Sequence, residues 1–277
     1  MLLLDSPHGP PFTQKLLQTN YKGIGVLLKL FRYACLGLLV SACAAAQTVS
    51  TPSPVPDLNT IVSRMQVAQQ RNRVHEHALT VKRDYQLLDD EQTQKAQVIA
   101  HITYMPPDRK QYQIESSHGG IGERVLKDVL KKEVQPPEDI DRQELSEENY
   151  EFQYVGTEAI DGHPCYVLAL KPRREDKELL RGQVWVDQQT YNIRRLEGNP
   201  AKNPSWWIRD LHVLMSFASV DGMWLHTFTY AVANVRFKGR YEMVSRDLEY
   251  QLGSGQIVRS VHTHPRPAIV AGAAFRP

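Results

Sequence analysis

Residues 150–171 read YEFQYVGTEAIDGHPCYVLALK, and this stretch decides the fold. Between residues 149 and 154, three aromatic residues alternate with polar ones, as a strand with one wet face requires. The dipeptide Asp161-Gly162 is a turn signal, and an apolar run follows it directly. Consecutive strands with short links pair antiparallel. The stretch therefore predicts two strands of an antiparallel sheet.

The same period of two continues on both sides of this stretch, with turn signals such as Pro106-Pro107 and Asp221-Gly222 between the runs. About ten consecutive strands with short links form a meander and not βαβ units, so we expect a mainly β (α+β) fold with an antiparallel sheet. The predicted strands are 78–88, 96–104, 108–116, 149–154, 163–171, 182–188, 192–198, 208–219, 223–237 and 240–251.

Two segments have the helical period instead. After Asp57, a residue type that caps helices, apolar residues recur at i, i+3, i+4 and i+7. A second amphipathic helix is predicted over 123–133, because two lysines suit its carboxyl end. The predicted apolar stripes are Leu58, Ile61, Val62, Met65 and Ala68 in the first helix, and Val125, Leu126, Val129 and Leu130 in the second.

The glycine-rich segment Gly119-Gly120-Ile121-Gly122 precedes this second helix. Backbone N–H groups at a helix start attract anions, which suggests a phosphate loop. The lysine of a nucleotide-binding loop is absent, however, and no βαβ context surrounds the segment. A hinge, or a turn that needs positive φ, is therefore the better interpretation.

The first 46 residues have the pattern of a secretory signal with an N-terminal extension. Basic residues precede a short uncharged apolar core, which ends in small residues before Gln47. Residues 40–43 read VSAC and resemble a lipobox, so Cys43 is a candidate lipidation site that would give membrane association. Cleavage before Gln47 is the alternative. We expect a Pro-rich tether over 47–56, one β domain over 57–262 and a disordered tail over 263–277.

Charge and cysteine content exclude some functions. Four of the 33 basic residues and one of the 31 acidic residues lie in the leader, so the body has a net charge of about −1. A near-neutral body has no basic footprint for nucleic acid. Cys165 lies in an apolar run, where a buried, inert thiol is expected.

No enzyme site or cofactor site stands out. The pairs His75-x-His77 and His262-x-His264 would each present two imidazoles on one strand face, but zinc needs three or four ligands and no further ones can be named. No serine, cysteine or histidine lies in a recognisable nucleophile setting. We therefore expect a protein without catalytic residues, metal or cofactor.

Aromatic residues in the later strands suggest a different kind of site. Strands 208–219 and 223–237 are apolar on both faces, which requires cover on both or leaves one face for an apolar ligand. Core packing is the competing explanation. The candidate ligand-binding residues of an acyl-chain cavity are Trp185, Met215, Phe217, Trp224, Phe228 and Tyr230, with Trp206 and Trp207 at its rim.

A family resemblance rests on residues 155–172, which read VGTEAIDGHPCYVLALKP, and on residues 182–187, which read GQVWVD. Together with Thr190, Ile193 and residues 195–197, they resemble the paired strands of the LolA-like outer-membrane lipoprotein-sorting superfamily. This resemblance implies a half-open antiparallel β-barrel, with helices over a cavity that holds acyl chains. The resemblance also implies that Trp185 packs in a hairpin and that Asp187 starts the turn closed by Thr190.

These features lead to one expected function and one alternative. The first is an exported protein, in the periplasm or on the periplasmic face of the outer membrane, that binds acyl chains of lipids or lipoproteins in outer-membrane lipoprotein sorting. The alternative is an envelope scaffold or sensor domain that binds a protein partner and has no lipid cargo, its concavity being filled by its own helices.

Overall fold

The computed structural model describes residues 56–74, 76–135 and 141–260. The predicted leader, Cys43, nearly all of the tether, His75, His262, His264 and the tail lie outside these residues. The elements in chain order are α1 (Leu58–Arg71), β1 (Leu79–Asp89), β2 (Gln94–Met105), β3 (Arg109–His118), α2 (Ile121–Val134), β4 (Tyr150–Ile160), β5 (His163–Pro172), β6 (Leu180–Asp187), β7 (Ile193–Pro200), β8 (Ile208–Val220), β9 (Met223–Val235), β10 (Gly239–Leu252) and β11 (Ile257–Arg259). The domain limits of 57–262 stay a prediction.

All eleven strands belong to one antiparallel sheet. Ten of them are ordered β3-β2-β1-β10-β9-β8-β7-β6-β5-β4, and the short β11 pairs with β10. Since neighbouring strands of this order are consecutive in the chain everywhere except at the β1–β10 contact, the chain forms two meanders joined there. The predicted mainly β fold, an open antiparallel sheet of about ten strands with a few helices, is confirmed.

Strand pairing defines two faces of the sheet, because directly paired residues project to the same side. One row of paired residues crosses all ten strands and is mostly apolar. We call its side the helix face, since both helices pack there. The row consists of Tyr154, Leu168, Val184, Leu196, Met215, Thr229, Ser245, Tyr85, Val98 and Ser117.

The adjacent row defines the opposite side, the outer face, and its composition differs. Apart from Ala169 it is polar towards both sheet edges, and it is apolar in the middle, where Leu214, Tyr230 and Val244 are paired. The row consists of Gln153, Ala169, Gln183, Glu197, Leu214, Tyr230, Val244, Gln86, Gln97 and His118. The helices therefore cover the face whose apolar residues extend across the sheet.

Both helices pack with their apolar stripes against the helix face. In α1 the predicted stripe is confirmed, since Ile61, Val62, Met65 and Ala68 are buried and Leu58 packs beside them. Asp57 occupies the N-cap position, but its side chain makes no capping hydrogen bond. Within the described residues, no helix has the length and apolar character that crossing a membrane requires.

The predicted stripe of α2 needs one correction. Leu126, Leu130 and Val134 are buried and Val129 packs against them, but Val125 is exposed. Residues four apart lie above one another on a helix, so burial of Leu126 and Leu130 selects Val134 as the next contact. Val125 lies to one side of that line and faces solvent.

Candidate functional site

The most closely covered part of the helix face lies beneath α2. Here β1 and β2 present Val81, Ala96, Val98, Ala100 and Ile102, and each of these side chains is completely or almost completely buried. Above them, α2 contributes three buried residues, Leu126, Leu130 and Val134, with Val129 packed beside them. A short helix thus covers an apolar surface formed by two long strands.

The glycines before α2 have the geometry that the sequence predicted. Gly119 and Gly120 both have positive φ, at 118° and 59°. A Cβ added to Gly119 would lie 2.4 Å from the Cα of Ala96, so the chain passes too close to β2 for any other residue. This segment is therefore a glycine-dependent turn against β2, at which α2 begins.

A bent hairpin covers the same half of the sheet from another side. The pairing of β9 with β10 extends only to Phe228, and a bulge between Ser216 and Phe217 interrupts the pairing of β8 with β9. We call residues 217–227 the hairpin tip. Its side chains Val220, Met223 and Leu225 join the apolar cluster of β1, β2 and α2.

A fully buried cation lies where these elements meet. Arg83 of β1 donates from Nε to Asp247 Oδ1 of β10 at 2.5 Å, and from Nη1 to Glu133 Oε1 at the end of α2. Its Nη2 donates to the main-chain carbonyl of His226 in the hairpin tip. Tyr85 donates its hydroxyl to the other oxygen of Glu133 at 2.7 Å. We call Arg83, Glu133, Asp247 and His226 the arginine centre.

The charges of the arginine centre compensate one another. Burial would raise the pKa of Glu133, but the positive charge of Arg83 outweighs it, with hydrogen bonds from His226 and Tyr85, so this pKa lies well below its ordinary value. Burial lowers the pKa of Arg83, yet Asp247 and Glu133 more than offset that effect and hold it above its ordinary value. The centre therefore carries ionised groups in an apolar surrounding.

The half of the sheet beneath α1 has no such centre. Ile61, Val62 and Met65 of α1 contact an apolar cluster formed mainly by β4, β5 and β6. The polar contacts at α1 include hydrogen bonds from Asn72 Nδ2 to Asn192 Oδ1 at 2.9 Å, from Gln69 Nε2 to the carbonyl of Leu145 at 3.2 Å and, at the surface, from Arg64 Nη1 to the Tyr191 hydroxyl at 3.1 Å. This helix is held mainly by apolar packing, with hydrogen bonds at its margins.

The six predicted cavity residues are not gathered in one place. Met215 lies in the helix-face row, whereas Tyr230 lies in the outer-face row and Phe228 clusters with it. Trp185 lies between Val184 and Val186, both of which face α1, so strand alternation turns it to the outer face. One pocket on the helix face cannot contain all of them, and their role in ligand binding stays a prediction.

The other two candidates lie in the hairpin tip. The Phe217 ring is 5.5 Å from the His226 ring, which places it next to the arginine centre. Trp224 is half-buried and donates from Nε1 to the carbonyl of Ile193 at 3.0 Å. Trp206 and Trp207, the predicted rim, are exposed in the connection between β7 and β8.

Two sequence interpretations near the first hairpin agree with the geometry. Asp187 Oδ1 accepts hydrogen bonds from the backbone N–H groups of Gln189 and Thr190, at 3.0 and 2.8 Å, and so starts the turn. Cys165 is completely buried beside Trp185, and burial raises the pKa of its thiol to about 11. A thiol with that pKa is protonated at neutral pH and is a poor nucleophile.

Sequence reasoning missed the arginine centre, although one signal was present. Arg83 has the same strand parity as Val81 and Tyr85, so a charge stands where the strand faces the core. Its partners are far away in the chain, at Glu133, His226 and Asp247. His77, part of a predicted histidine pair, lies with its Nε2 2.7 Å from Oδ2 of Asp221.

Two protein-family models match parts of this chain. Residues 59–193 match the family model of the MucB/RseB N-terminal domain, and residues 134–253 match a model described as an uncharacterized protein. The first match, like the open sheet with its helices, agrees with the LolA-like superfamily that the strand pattern predicted. No curated protein matches the chain.

Several solved structures are similar to the chain at low identity. A putative outer-membrane lipoprotein-sorting protein domain from Vibrio parahaemolyticus is 12% identical, with 69% of this chain and 93% of that chain covered and a TM-score of 0.39. A LolA superfamily protein from Nitrosomonas europaea is 13% identical, with 70% and 92% covered and a TM-score of 0.31. The MucA/MucB complex of Pseudomonas aeruginosa gives 10% identity, 73% and 99% coverage and a TM-score of 0.25.

Proposed function

We propose that this chain is an exported binding protein of the bacterial envelope that shelters an acyl chain of a lipid or lipoprotein on the helix face, beneath α2. The observation that supports this proposal is that the apolar surface of the sheet beneath α2 is larger than the apolar surface of α2 that covers it. The strands beneath α2 form an extended apolar surface, whereas α2 contributes only Leu126, Leu130 and Val134 as buried residues. An acyl chain would replace contacts that a short helix makes now.

An acyl chain would offset the apolar cover that the sheet loses when α2 leaves. Apolar burial contributes about 25 cal/mol per Å², whichever group provides the cover. When α2 leaves, Glu133 withdraws, but Arg83 keeps Asp247, so the buried cation is not left without a counter-charge. The glycine turn at Gly119 and Gly120 provides the point about which the helix can move. Binding of this kind involves no chemical step.

Native mass spectrometry of the processed protein, purified from membranes without delipidation, tests this proposal. We expect mass adducts of a lipid or of an acylated protein. Ala100→Phe would fill the space beneath α2, whereas its neighbour Ile99 projects to the other face, so Ile99→Phe is the matched control. We expect adduct loss only for Ala100→Phe. If nothing co-purifies with the unaltered protein, the acyl-chain proposal is wrong.

The cover that α1 and α2 already give to the helix face favours a second function. With α1 and α2 in place, the apolar clusters beneath both helices are buried without any ligand, as a sensor or scaffold domain would require. The MucB/RseB family match is in line with this alternative, and one solved structure shows MucB in complex with MucA. Co-purification of an envelope protein without lipid, unaffected by Ala100→Phe, would support it over the acyl-chain proposal.

A further inference from the structure

Three large aromatic side chains are exposed on two adjacent connections. Trp206 and Trp207 precede β8 and are 60% and 48% exposed, and Phe237, in the turn between β9 and β10, is 89% exposed. The backbone N–H of Arg236 donates to the carbonyl of Trp207 at 2.9 Å, so the two connections are directly joined. We call Trp206, Trp207 and Phe237 the aromatic patch.

The backbone of Phe237 has an unusual conformation for such a residue. Its φ is +65°, within the left-handed region that glycine and asparagine favour in turns. The turn is closed by a hydrogen bond from Lys238 N–H to the carbonyl of Val235 at 3.0 Å. A bulky residue here has a conformational cost, and an 89% exposed ring gains little packing in return. Phe237 therefore points to a contact outside the chain.

The tryptophan pair is ordered rather than freely rotating. The two rings stack with centroids 3.8 Å apart and planes at 28°, and the Arg236 guanidinium lies 5.7 Å from the Trp206 centroid. A stacked pair beneath a cation presents a fixed apolar surface with polar N–H edges. Tryptophan with this mixed character is enriched at boundaries between water and hydrocarbon.

Basic residues surround the aromatic patch. Lys202 and Arg209 line a surface cavity of about 510 Å³ next to Trp206, and Lys238 follows Phe237 in the turn. All three are exposed, and none forms an ion pair with a carboxylate of the described residues. The acidic residue of the cavity, Asp210, accepts a hydrogen bond from Asn234 at 3.0 Å. The local excess of charge is therefore positive on a body that is nearly neutral.

We infer that the aromatic patch docks the domain on a bilayer surface rich in anionic phospholipid. Protruding aromatic rings would enter the boundary between headgroups and acyl chains, while Lys202, Arg209 and Lys238 face the phosphates. Charge complementarity and the convex position of Phe237 favour a bilayer over an acidic protein, because an interface with a protein would need a pocket on the partner for each ring. This surface function is separate from the proposed acyl-chain site and does not require it.

Vesicle co-sedimentation tests this inference. The protein is exported with Cys43→Ser in every variant, so that no acyl anchor contributes, and the processed chain is mixed with vesicles of phosphatidylglycerol and phosphatidylethanolamine or of phosphatidylcholine alone. We expect binding to the anionic vesicles that weakens with added salt. The triple variant Trp206→Ser, Trp207→Ser, Phe237→Gly should lower the partition coefficient about tenfold or more, since all three apolar rings that enter the bilayer boundary are removed.

Two further variants keep the test decisive. Phe237→Gly alone suits the positive φ, so its melting temperature should be unchanged or higher while vesicle binding falls. Val67→Ser removes an apolar residue that is 63% exposed on α1, and it should bind vesicles like the unaltered chain. Equal binding to both lipid compositions, undiminished binding by the triple variant, or equal loss with Val67→Ser would overturn the inference. Loss of a protein partner from the triple variant, without vesicle binding by the unaltered chain, would also overturn it.

Discussion

The two helices cover the same face of one sheet, but they are held there in different ways. α1 buries four apolar residues and adds neutral amide contacts with Leu145 and Asn192. α2 buries three, begins at glycines with positive φ, and ends at the buried cation Arg83. Apolar packing holds a helix wherever its shape fits, whereas a buried ion pair must be satisfied in one geometry or left open. The position of α2 therefore depends on the geometry of one buried ion pair, whereas the position of α1 depends on apolar packing.

The largest effect that would test this contrast is expected from Arg83→Met. Glu133 and Asp247 would be left in an apolar surrounding without their cation, which lowers the free energy of unfolding by about 3–5 kcal/mol. Urea unfolding followed by circular dichroism measures the loss. A change no larger than that of an exposed residue would contradict the view that Arg83 joins the sheet, α2 and the hairpin tip.

The second prediction concerns the stability of α2 alone. Leu130→Ala removes a fully buried side chain and should lower the free energy of opening of α2 by about 2–5 kcal/mol. Hydrogen exchange measured by mass spectrometry should show faster exchange in α2 and unchanged protection in α1. Val125→Ala, at an exposed position of the same helix, is the control. Equal acceleration in both helices would mean that the two halves open together.

The third prediction is a pH dependence of Glu133. Its pKa is lowered on folding, so its contribution to stability is present above the ordinary glutamate pKa of about 4.3 and is lost as pH falls towards the folded value. Glu133→Gln should lower the free energy of unfolding by about 1.5–3 kcal/mol at neutral pH, because a hydrogen bond to a charged group is lost. The difference between the two chains should shrink as the solution becomes acidic. A constant difference across this range would exclude the ionised form.

The smallest effect is expected at the residue beside Arg83. Lys82 projects to the other face and pairs with Glu115 at 2.8 Å in contact with solvent. Surface ion pairs of this kind contribute little and are screened by salt. Lys82→Met should therefore leave the urea midpoint nearly unchanged. A loss of unfolding free energy close to that of Arg83→Met would show that Lys82 and Arg83 contribute equally although they lie on opposite faces of β1.

Much of the fold could be predicted from local pattern. The ten long strands were located from alternating or continuous apolar runs, several of them separated by turn signals, and both helices because their stripes repeat at helical spacing. β11 was missed, since three residues are too few to show a period. Val125 was placed in the core wrongly, because a stripe read from sequence does not say which of two adjacent lines contacts the sheet.

The candidate site was harder to predict, and the reason is geometric. Strands β8 and β9 are apolar on both faces, so composition could not separate Met215 from Tyr230. Alternation tells which residues share a face of a strand, but not which face the helices will cover. Trp185 appeared to be a cavity residue for this reason, although the packing of Val184 and Val186 on α1 directs it to the outer face.

By itself, the sequence determined the secondary structure, the antiparallel class of the sheet and the buried character of Cys165, because these depend on neighbours within a few residues. Only the tertiary structure decided the arginine centre, whose members stand at positions 83, 133, 226 and 247. It also decided that Trp206, Trp207 and Phe237 form one patch, since a hydrogen bond between separate connections brings them together. Charge compensation and contacts between separate connections depend on partners distant in the chain, and no local pattern carries that information.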